Sequence, residues 1–246
     1  MGFLALVLFI HSQNTKEKMI NIMNITKFKS LILLTAGLFM TFSVAAQTKE
    51  QTKITDATAV LTAFSEMKET IPSELLQVTQ GIIIVPKLIN AGFVVGGKRG
   101  KGIAMVKKSD GSWSNPVFVT ITGGSVGAQI GVQSVDLVLI FKSSKSLTDI
   151  KNSSFTLGGD LSVAAGPVGR SSTASTDYKL EAEVYSYSRS KGLFAGITLN
   201  GASLAIDAPS NTKFYGKAMT GNAIFTAPVN DSADVKELKT KLNAMK

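Results

Sequence analysis

The sequence contains no cysteine and a single histidine among its 246 residues. The absence of cysteine excludes a disulfide framework, a thiolate metal site and a cysteine nucleophile. Charged residues make up only 17% of the chain and hydrophobic residues 44%, a balance that excludes a disordered polymer and suffices for a buried core. The length corresponds to one domain, and 26 basic against 17 acidic side chains give a formal charge of +9.

The first 46 residues have the organisation of a secretory signal peptide. Lys27 and Lys29 precede an apolar run over residues 31–42, and small residues follow as far as Ala46. We therefore expect cleavage after Ala46 and a periplasmic or secreted, peripherally membrane-associated protein. A second apolar stretch upstream of the basic pair indicates an over-extended start. The alternative is an uncleaved amino-terminal anchor.

The predicted mature domain, residues 47–246, retains neither cysteine nor histidine, because the histidine is His11. This inventory excludes Ser–His–Asp and Cys–His catalysis and histidine-ligated metals. Only carboxylate pairs, Ser–Lys dyads or an all-oxygen metal site could still support an enzyme. Because Asp136 has no identifiable partner carboxylate, we expect no enzyme activity, no cofactor and no metal. A nucleic-acid partner is not expected either, because aromatic residues make up only 7% of the chain and no recognition helix is evident.

The periodicity of the mature domain predicts an α+β fold. Apolar residues recur every three or four positions from Ile54 to Ile71, which predicts an amphipathic helix. After Gly81, short β-branched runs separated by glycine predict about ten strands, and the glycines favour bends over a flat sandwich. Asp231 is the predicted N-cap of a closing helix. We expect a strongly coiled antiparallel sheet or part-closed β-barrel, with an N-terminal amphipathic helix and a C-terminal helix.

A basic, glycine-rich segment from Gly96 to Gly102 predicts a hairpin that attracts anions. It fails the Walker pattern, because three residues rather than four separate Gly96 from Gly100. A solvated hairpin tip is the alternative interpretation. The predicted lipid-binding residues are the five cations of this region: Lys98, Arg99, Lys101, Lys107 and Lys108.

Charge alone predicts weak docking on a membrane. Each cation near an anionic leaflet contributes roughly 1 kcal/mol, so five give a dissociation constant no tighter than roughly 0.1–1 mM. Useful affinity then requires apolar insertion. The candidates are Leu61 and Phe64 on the first helix, and Leu193 and Phe194 at a strand end. The helix stripe can equally cover a sheet, which is the more frequent use of such a pattern.

Three further features have structural interpretations. Trp113 is expected to close one end of the barrel, with a membrane-interface anchor as the alternative. Asp136 interrupts an apolar run and is expected to cap backbone groups or pair with a Lys or Arg inside the sheet. Glu181 and Glu183 have the spacing of a solvated strand edge.

The order of several short motifs resembles the SYLF domain, or Ysc84 family, of lipid-binding and actin-regulating proteins. The resemblance covers roughly Ile54 to Leu242. Its motifs are Gly81-Ile82-Ile83-Ile84-Val85-Pro86, Gly96-Gly97-Lys98-Arg99-Gly100-Lys101-Gly102, Trp113-Ser114-Asn115-Pro116, Gly127-Ala128-Gln129-Ile130-Gly131, Gly166-Pro167-Val168-Gly169 and Ser190-Lys191-Gly192-Leu193-Phe194-Ala195-Gly196.

This resemblance implies a non-enzymatic module that binds membrane lipids, with anionic headgroups meeting a basic surface. The predicted signal peptide makes this an exported, bacterial type of member, so an anionic phospholipid membrane surface is the expected partner. The protein partner is left open. The alternative is an envelope structural or protein-interaction module that binds acidic polysaccharide or protein.

Overall fold

The computed structural model describes residues 47–67, 71–148, 154–167, 181–194, 197, 199–230 and 232–245, with backbone alone at 93–95 and 125–130. Thr48–Lys246 forms one compact unit. The predicted signal peptide lies outside the described residues. Among those described, no helix combines the length and the apolar character needed to cross a bilayer.

The first helix, α1 (Lys49–Ser65), begins at a capping box in which Thr48 accepts from the Gln51 backbone N–H and Gln51 reciprocates. It begins earlier and ends earlier than the periodicity predicts, and Glu66 follows as its C-cap. Its apolar stripe is buried as predicted: Ile54, Ala57, Val60, Leu61 and Phe64. A short helix, α2 (Ser73–Val78), follows.

Two very long strands dominate the domain: β1 (Gly81–Val106) and β2 (Val117–Phe141). They pair antiparallel along almost their whole length, from Gly81 opposite Phe141 to Ala104 opposite Val117. Six of the predicted short strands are therefore segments of these two. The described residues form seven strands where about ten were predicted, because glycines that indicated turns instead lie inside the strands at bends and bulges.

The ribbon of β1 and β2 folds back on itself, so that the two halves of β1 lie side by side. The Lys107 backbone N–H donates to the Gln80 carbonyl at 2.8 Å. A Cβ on Gly102 would collide with the Ile84 carbonyl, and one on Gly100 would lie 2.7 Å from a Leu88 methyl carbon. Glycine is therefore required where the halves meet.

The remaining strands extend the sheet from both halves of β2. They are β3 (Ser154–Thr156), β4 (Val163–Ala165), β5 (Val184–Ser190), β6 (Leu193–Phe194) and β7 (Ser203–Ile206). β5 pairs with the C-terminal half of β2 and β7 with its N-terminal half. Because β4 runs parallel to β5, the sheet of the described residues is mixed rather than wholly antiparallel. The predicted α+β class with a strongly curled sheet is confirmed.

Each face of the sheet carries its own hydrophobic core. The inner core lies within the curl and includes Val85, Val119, Leu137 and Leu204. The outer core lies between the other face and the helices, joining α1 to strand residues such as Ile84 and Met105. Alternate residues of a strand therefore belong to different cores.

Four helices complete the described part of the chain: α3 (Lys145–Thr148), α4 (Ala208–Tyr215), α5 (Gly221–Thr226) and α6 (Ala233–Ala244). The closing helix buries Val235, Leu238 and Leu242 as its pattern predicts. Its N-cap is Ser232 rather than the predicted Asp231. The sequence pattern did not predict α4 and α5, which are too short to show a periodic stripe.

Candidate functional site

The basic segment Gly96–Gly102 is not a hairpin tip. It lies inside β1, and its residues pair with Ser125 through Val119 of β2. Side chains of a strand alternate between its two faces, so neighbouring cations are separated. Lys98 lies on the inner face, whereas Arg99 and Lys101 are exposed on the outer face.

Lys98 is buried, with 5% of its surface exposed. Burial lowers the pKa of its ammonium, because the charged form loses hydration. Its stem lies 3.4 Å from the position that a Cβ on Gly123 would occupy. Lys98 is therefore the least exposed of the five residues predicted to bind lipid.

Lys101 is engaged by an acidic side chain. Its ammonium donates to Asp207 Oδ2 at 2.7 Å, and the Asp207 side chain is 7% exposed. Asp207 also caps α4, accepting from the Ser210 backbone N–H and hydroxyl. Burial alone would raise the pKa of Asp207, but the hydrogen bonds from Lys101 and Ser210 hold it below its ordinary value.

Lys87 joins Arg99 and Lys101 where the halves of β1 meet. Lys87 sits in the irregular step between Val85 and Leu88 with a φ of 52°, and its side chain is 72% exposed. Its backbone N–H donates to Asp136 at 3.1 Å, and its ammonium lies 3.5 Å from Asp56.

The contact between Gly100 and Leu88 brings the flanking Lys87 and Arg99 to the same place. Arg99 is exposed, and it forms no ion pair with any residue that the structure describes. We call Lys87, Arg99 and Lys101 the cationic collar. Of the five predicted lipid-binding residues, only Arg99 and Lys101 belong to it.

Lys107 and Lys108 lie elsewhere, at the connection between β1 and β2. Lys107 is six residues beyond Lys101 along an extended strand, about 20 Å away at 3.3 Å per residue. Its ammonium lies 5.6 Å from the centre of the Trp113 ring, a cation–π contact. Trp113 is 6% exposed and belongs to the outer core, which favours the structural interpretation over a membrane anchor.

Several acidic residues of the described chain have structural partners. Asp136 Oδ2 accepts from Arg189 at 2.7 Å across β2 and β5, so the predicted pairing inside the sheet is confirmed. Glu181 and Glu183 are exposed, as predicted. No group of three or more metal-ligating side chains occurs among the described residues.

The helix residues predicted for insertion are buried in the structure. Leu61 and Phe64 are 0% and 2% exposed in the outer core, which favours the alternative interpretation, that the helix stripe covers the sheet. Phe194 is partly buried, with its ring centre 6.0 Å from that of Phe64. Leu193 alone among the four candidates is open to solvent, with 73% of its surface exposed.

An uncharged part of the β1–β2 ribbon was not predicted from the sequence. Beyond the cationic collar the β1–β2 ribbon continues through residues 88–97 and 123–135, and neither stretch contains a charged residue. We call these two stretches the ribbon tip. On it, Ile89 is 42% and Val132 is 76% exposed. The signal in the sequence was the absence of charged residues from positions 88–97 and 123–135.

Comparisons with known proteins place the chain in a family. Residues 122–245 match the Ysc84 family, described as Las17-binding protein actin regulator. The chain is 31% identical over 199 residues to LAS seventeen-binding protein 3 of Saccharomyces cerevisiae, covering 80% of this chain and 43% of the relative. It is also 31% identical over 203 residues to SH3 domain-containing YSC84-like protein 1 of Mus musculus, covering 82% and 59%.

The chain thus spans about half of the length of these relatives. None of these three names denotes an enzyme. The family match includes most of β2 and every later element of the fold. The similarity to the yeast relative and to the mouse relative extends over about four fifths of the chain. The chain therefore belongs to the Ysc84 family, whose domain is also called SYLF.

Proposed function

We propose that this protein is a non-catalytic domain that binds anionic membrane lipids. The observation that carries the proposal is the cationic collar, which presents Arg99 to solvent without an ion pair among the described residues, beside Lys87 and Lys101. An exposed guanidinium is suited to phosphate, because its planar donors match two phosphate oxygens.

The collar also sets the strength of this binding. At roughly 1 kcal/mol for each cation near an anionic leaflet, three residues contribute about 3 kcal/mol. That corresponds to a dissociation constant above about 1 mM, so the collar orients the domain and makes binding sensitive to salt rather than tight. The ion pairs of Lys87 with Asp56 and of Lys101 with Asp207 weaken it further.

Adjacent residues offer a matched test of the proposal. Arg99→Gln and Lys98→Gln each remove one positive charge, from the exposed and the buried face of the same strand. Residues 47–246 should sediment with phosphatidylglycerol-containing vesicles and not with pure phosphatidylcholine, and about 0.5 M salt should release them. Arg99→Gln should weaken this binding about fivefold, the loss of about 1 kcal/mol.

Lys98→Gln should leave vesicle affinity near that of the wild type, since Lys98 does not face the membrane. Circular dichroism and thermal melting of both variants control for folding. Equal loss in the two variants would mean that total charge rather than the collar decides binding. Failure of the wild-type domain to sediment with anionic vesicles would refute the proposed function.

The signal-peptide pattern leads us to propose export as well, with anionic phospholipid of an envelope membrane as the partner. Intact mass of the protein after expression in a secreting bacterial host tests this proposal directly. A mature chain beginning at Gln47 is the expected result, and a retained segment 1–46 in the cytoplasm would refute it.

A protein partner is the second candidate, favoured by the family description, which names Las17 binding and actin regulation. Co-sedimentation with actin filaments separates the two. A domain that sediments with filaments and not with anionic vesicles would support the protein partner and refute lipid binding.

A further inference from the structure

We propose that the ribbon tip is the element that enters the lipid interface, with the cationic collar at its base contacting the headgroups. This inference rests on the proposed lipid binding and assigns its apolar part to residues 88–97 and 123–135. Insertion of the ribbon tip takes the place of the predicted insertion of α1, because the apolar stripe of α1 is buried in the outer core.

Exposed apolar side chains converge at this end of the sheet. Ile89 lies opposite Ser134, and Val132 lies opposite Ala91 on the same two strands. The Ser134 carbonyl accepts from Ser190 of β5, at 3.3 Å. The residue opposite Ser190 is Leu193.

Ile89 and Val132 therefore lie on one face of the β1–β2 ribbon, and Leu193 lies at the same end of the sheet on the opposite face. They are three of the five large hydrophobic residues with substantial exposure in the described chain, and the other two, Val78 and Val229, lie outside the sheet. Such a concentration on one edge of a domain marks an interaction surface rather than the scattered exposure that is normal for a soluble fold.

The distribution of charge identifies a bilayer as the occupant. The ribbon tip carries no charge over its two stretches, whereas basic residues stand directly at its base, Lys87 on one arm of β1 and Arg99 on the other. Lys191, in the turn before Leu193, is exposed beside it. An apolar end bordered by cations complements the acyl boundary and the anionic headgroups of one leaflet.

The hydrogen bonding of the ribbon limits how deeply it enters. The backbone N–H and carbonyl groups of β1 and β2 pair with each other across the ribbon tip, for example where Asn90 lies opposite Gln133 and Gly92 opposite Gly131. The outer edge of a two-stranded ribbon still presents unpaired backbone groups, which are not tolerated in hydrocarbon. Entry is therefore confined to the interface, about 5–10 Å below the surface.

The absence of cysteine makes a site-specific test direct. A single cysteine is introduced by Val132→Cys at the tip or, as the matched control, by Val229→Cys, which replaces another exposed valine outside the sheet. Each is labelled with the environment-sensitive dye NBD in residues 47–246. On vesicles containing phosphatidylglycerol, emission from position 132 should shift to shorter wavelength and be quenched by brominated lipid, and emission from position 229 should do neither.

A second pair of variants measures the contribution to affinity. Val132→Ser should weaken binding to the same vesicles about tenfold, equivalent to about 1.4 kcal/mol. Val229→Ser should leave binding unchanged. Both side chains are largely exposed, so both variants should keep the wild-type melting temperature.

The outcomes separate this inference from the function on which it rests. If the wild-type domain binds anionic vesicles while the label at position 132 stays in water and Val132→Ser binds normally, the ribbon tip does not insert and the proposed function stands. If the wild-type domain does not bind, both fail. A shift at position 132 together with the tenfold loss supports insertion.

Discussion

Replacing Asp207 by asparagine should make the domain less stable and at the same time bind anionic vesicles more tightly. Asp207 Oδ2 accepts from the Lys101 ammonium at 2.7 Å and from the Ser210 hydroxyl at 2.9 Å. Asparagine preserves the cap of α4 through its carbonyl oxygen, because asparagine and aspartate are nearly equal N-caps. It removes the charge that faces Lys101.

The size of the stability loss follows from these contacts. A hydrogen bond to a charged group contributes about 1.5–3 kcal/mol, and the half-exposed Lys101 ammonium reduces this to about 1–2 kcal/mol. For a domain of this size the melting temperature should fall by about 2–8 °C, measured by thermal circular dichroism at pH 7.

The pH dependence gives the sign of the effect. The pKa of Asp207 in the folded state lies below its ordinary value of 3.8, so its carboxylate stabilises the fold fully above that value. This contribution is lost as the pH falls through the lowered pKa. The difference in melting temperature between wild type and Asp207→Asn should therefore be largest near neutral pH and disappear in strong acid.

Vesicle binding should move in the opposite direction. Loss of one negative charge beside Lys101 strengthens the collar by about 1 kcal/mol, which is about fivefold in affinity. Equal stability of the two proteins at pH 7, or a difference that persists undiminished in acid, would refute the role given to the carboxylate. Weaker vesicle binding by a folded variant would refute the role given to the collar.

Two further substitutions test the packing of the sheet, and both are measured by urea unfolding. Gly102→Ala should lower the free energy of unfolding by about 3 kcal/mol or more, because its Cβ collides with the Ile84 carbonyl. Gly124→Ala, with open space around its Cβ, should lower it far less. Equal losses would contradict the close approach of the β1 halves. Asn211→Leu should cost about 3 kcal/mol, because the buried amide bonds both the N–H and the carbonyl of Phe118, and an unchanged stability would show that these groups find other partners.

Local periodicity was sufficient to predict the helices that carry a long apolar stripe. Ile54, Leu61 and Leu242 are all buried, since a stripe that recurs with the helical period must be covered by something. The helical period of the apolar residues did not reveal which part of the molecule covers the stripe. Only the folded sheet shows that Leu61 and the rest of the stripe pack against the outer face of β1.

The predicted number of strands and the predicted grouping of the basic residues differ from the structure for related reasons. Glycine indicates a change of chain direction without distinguishing a turn from a bend, so Gly123 and Gly124 were taken to divide strands that in fact continue through them. Five cations close in sequence were expected to share one surface. Because the side chains of a strand alternate between its two faces, Lys98 is buried. Because the strand is extended, Lys107 lies far from Arg99. The Lys101–Asp207 pair spans 106 residues and has no local signal.

The fold-back of β1 explains why the collar and the ribbon tip exist together. Residues 87 and 99 become neighbours only because glycine at 100 and 102 lets the two halves of β1 touch. The same contact leaves the intervening uncharged stretch to project with its partner from β2. The proposed lipid binding and the stability of the fold therefore depend on one contact. A substitution that separates the halves of β1 disperses the cations, and it also removes the support on which the ribbon tip projects.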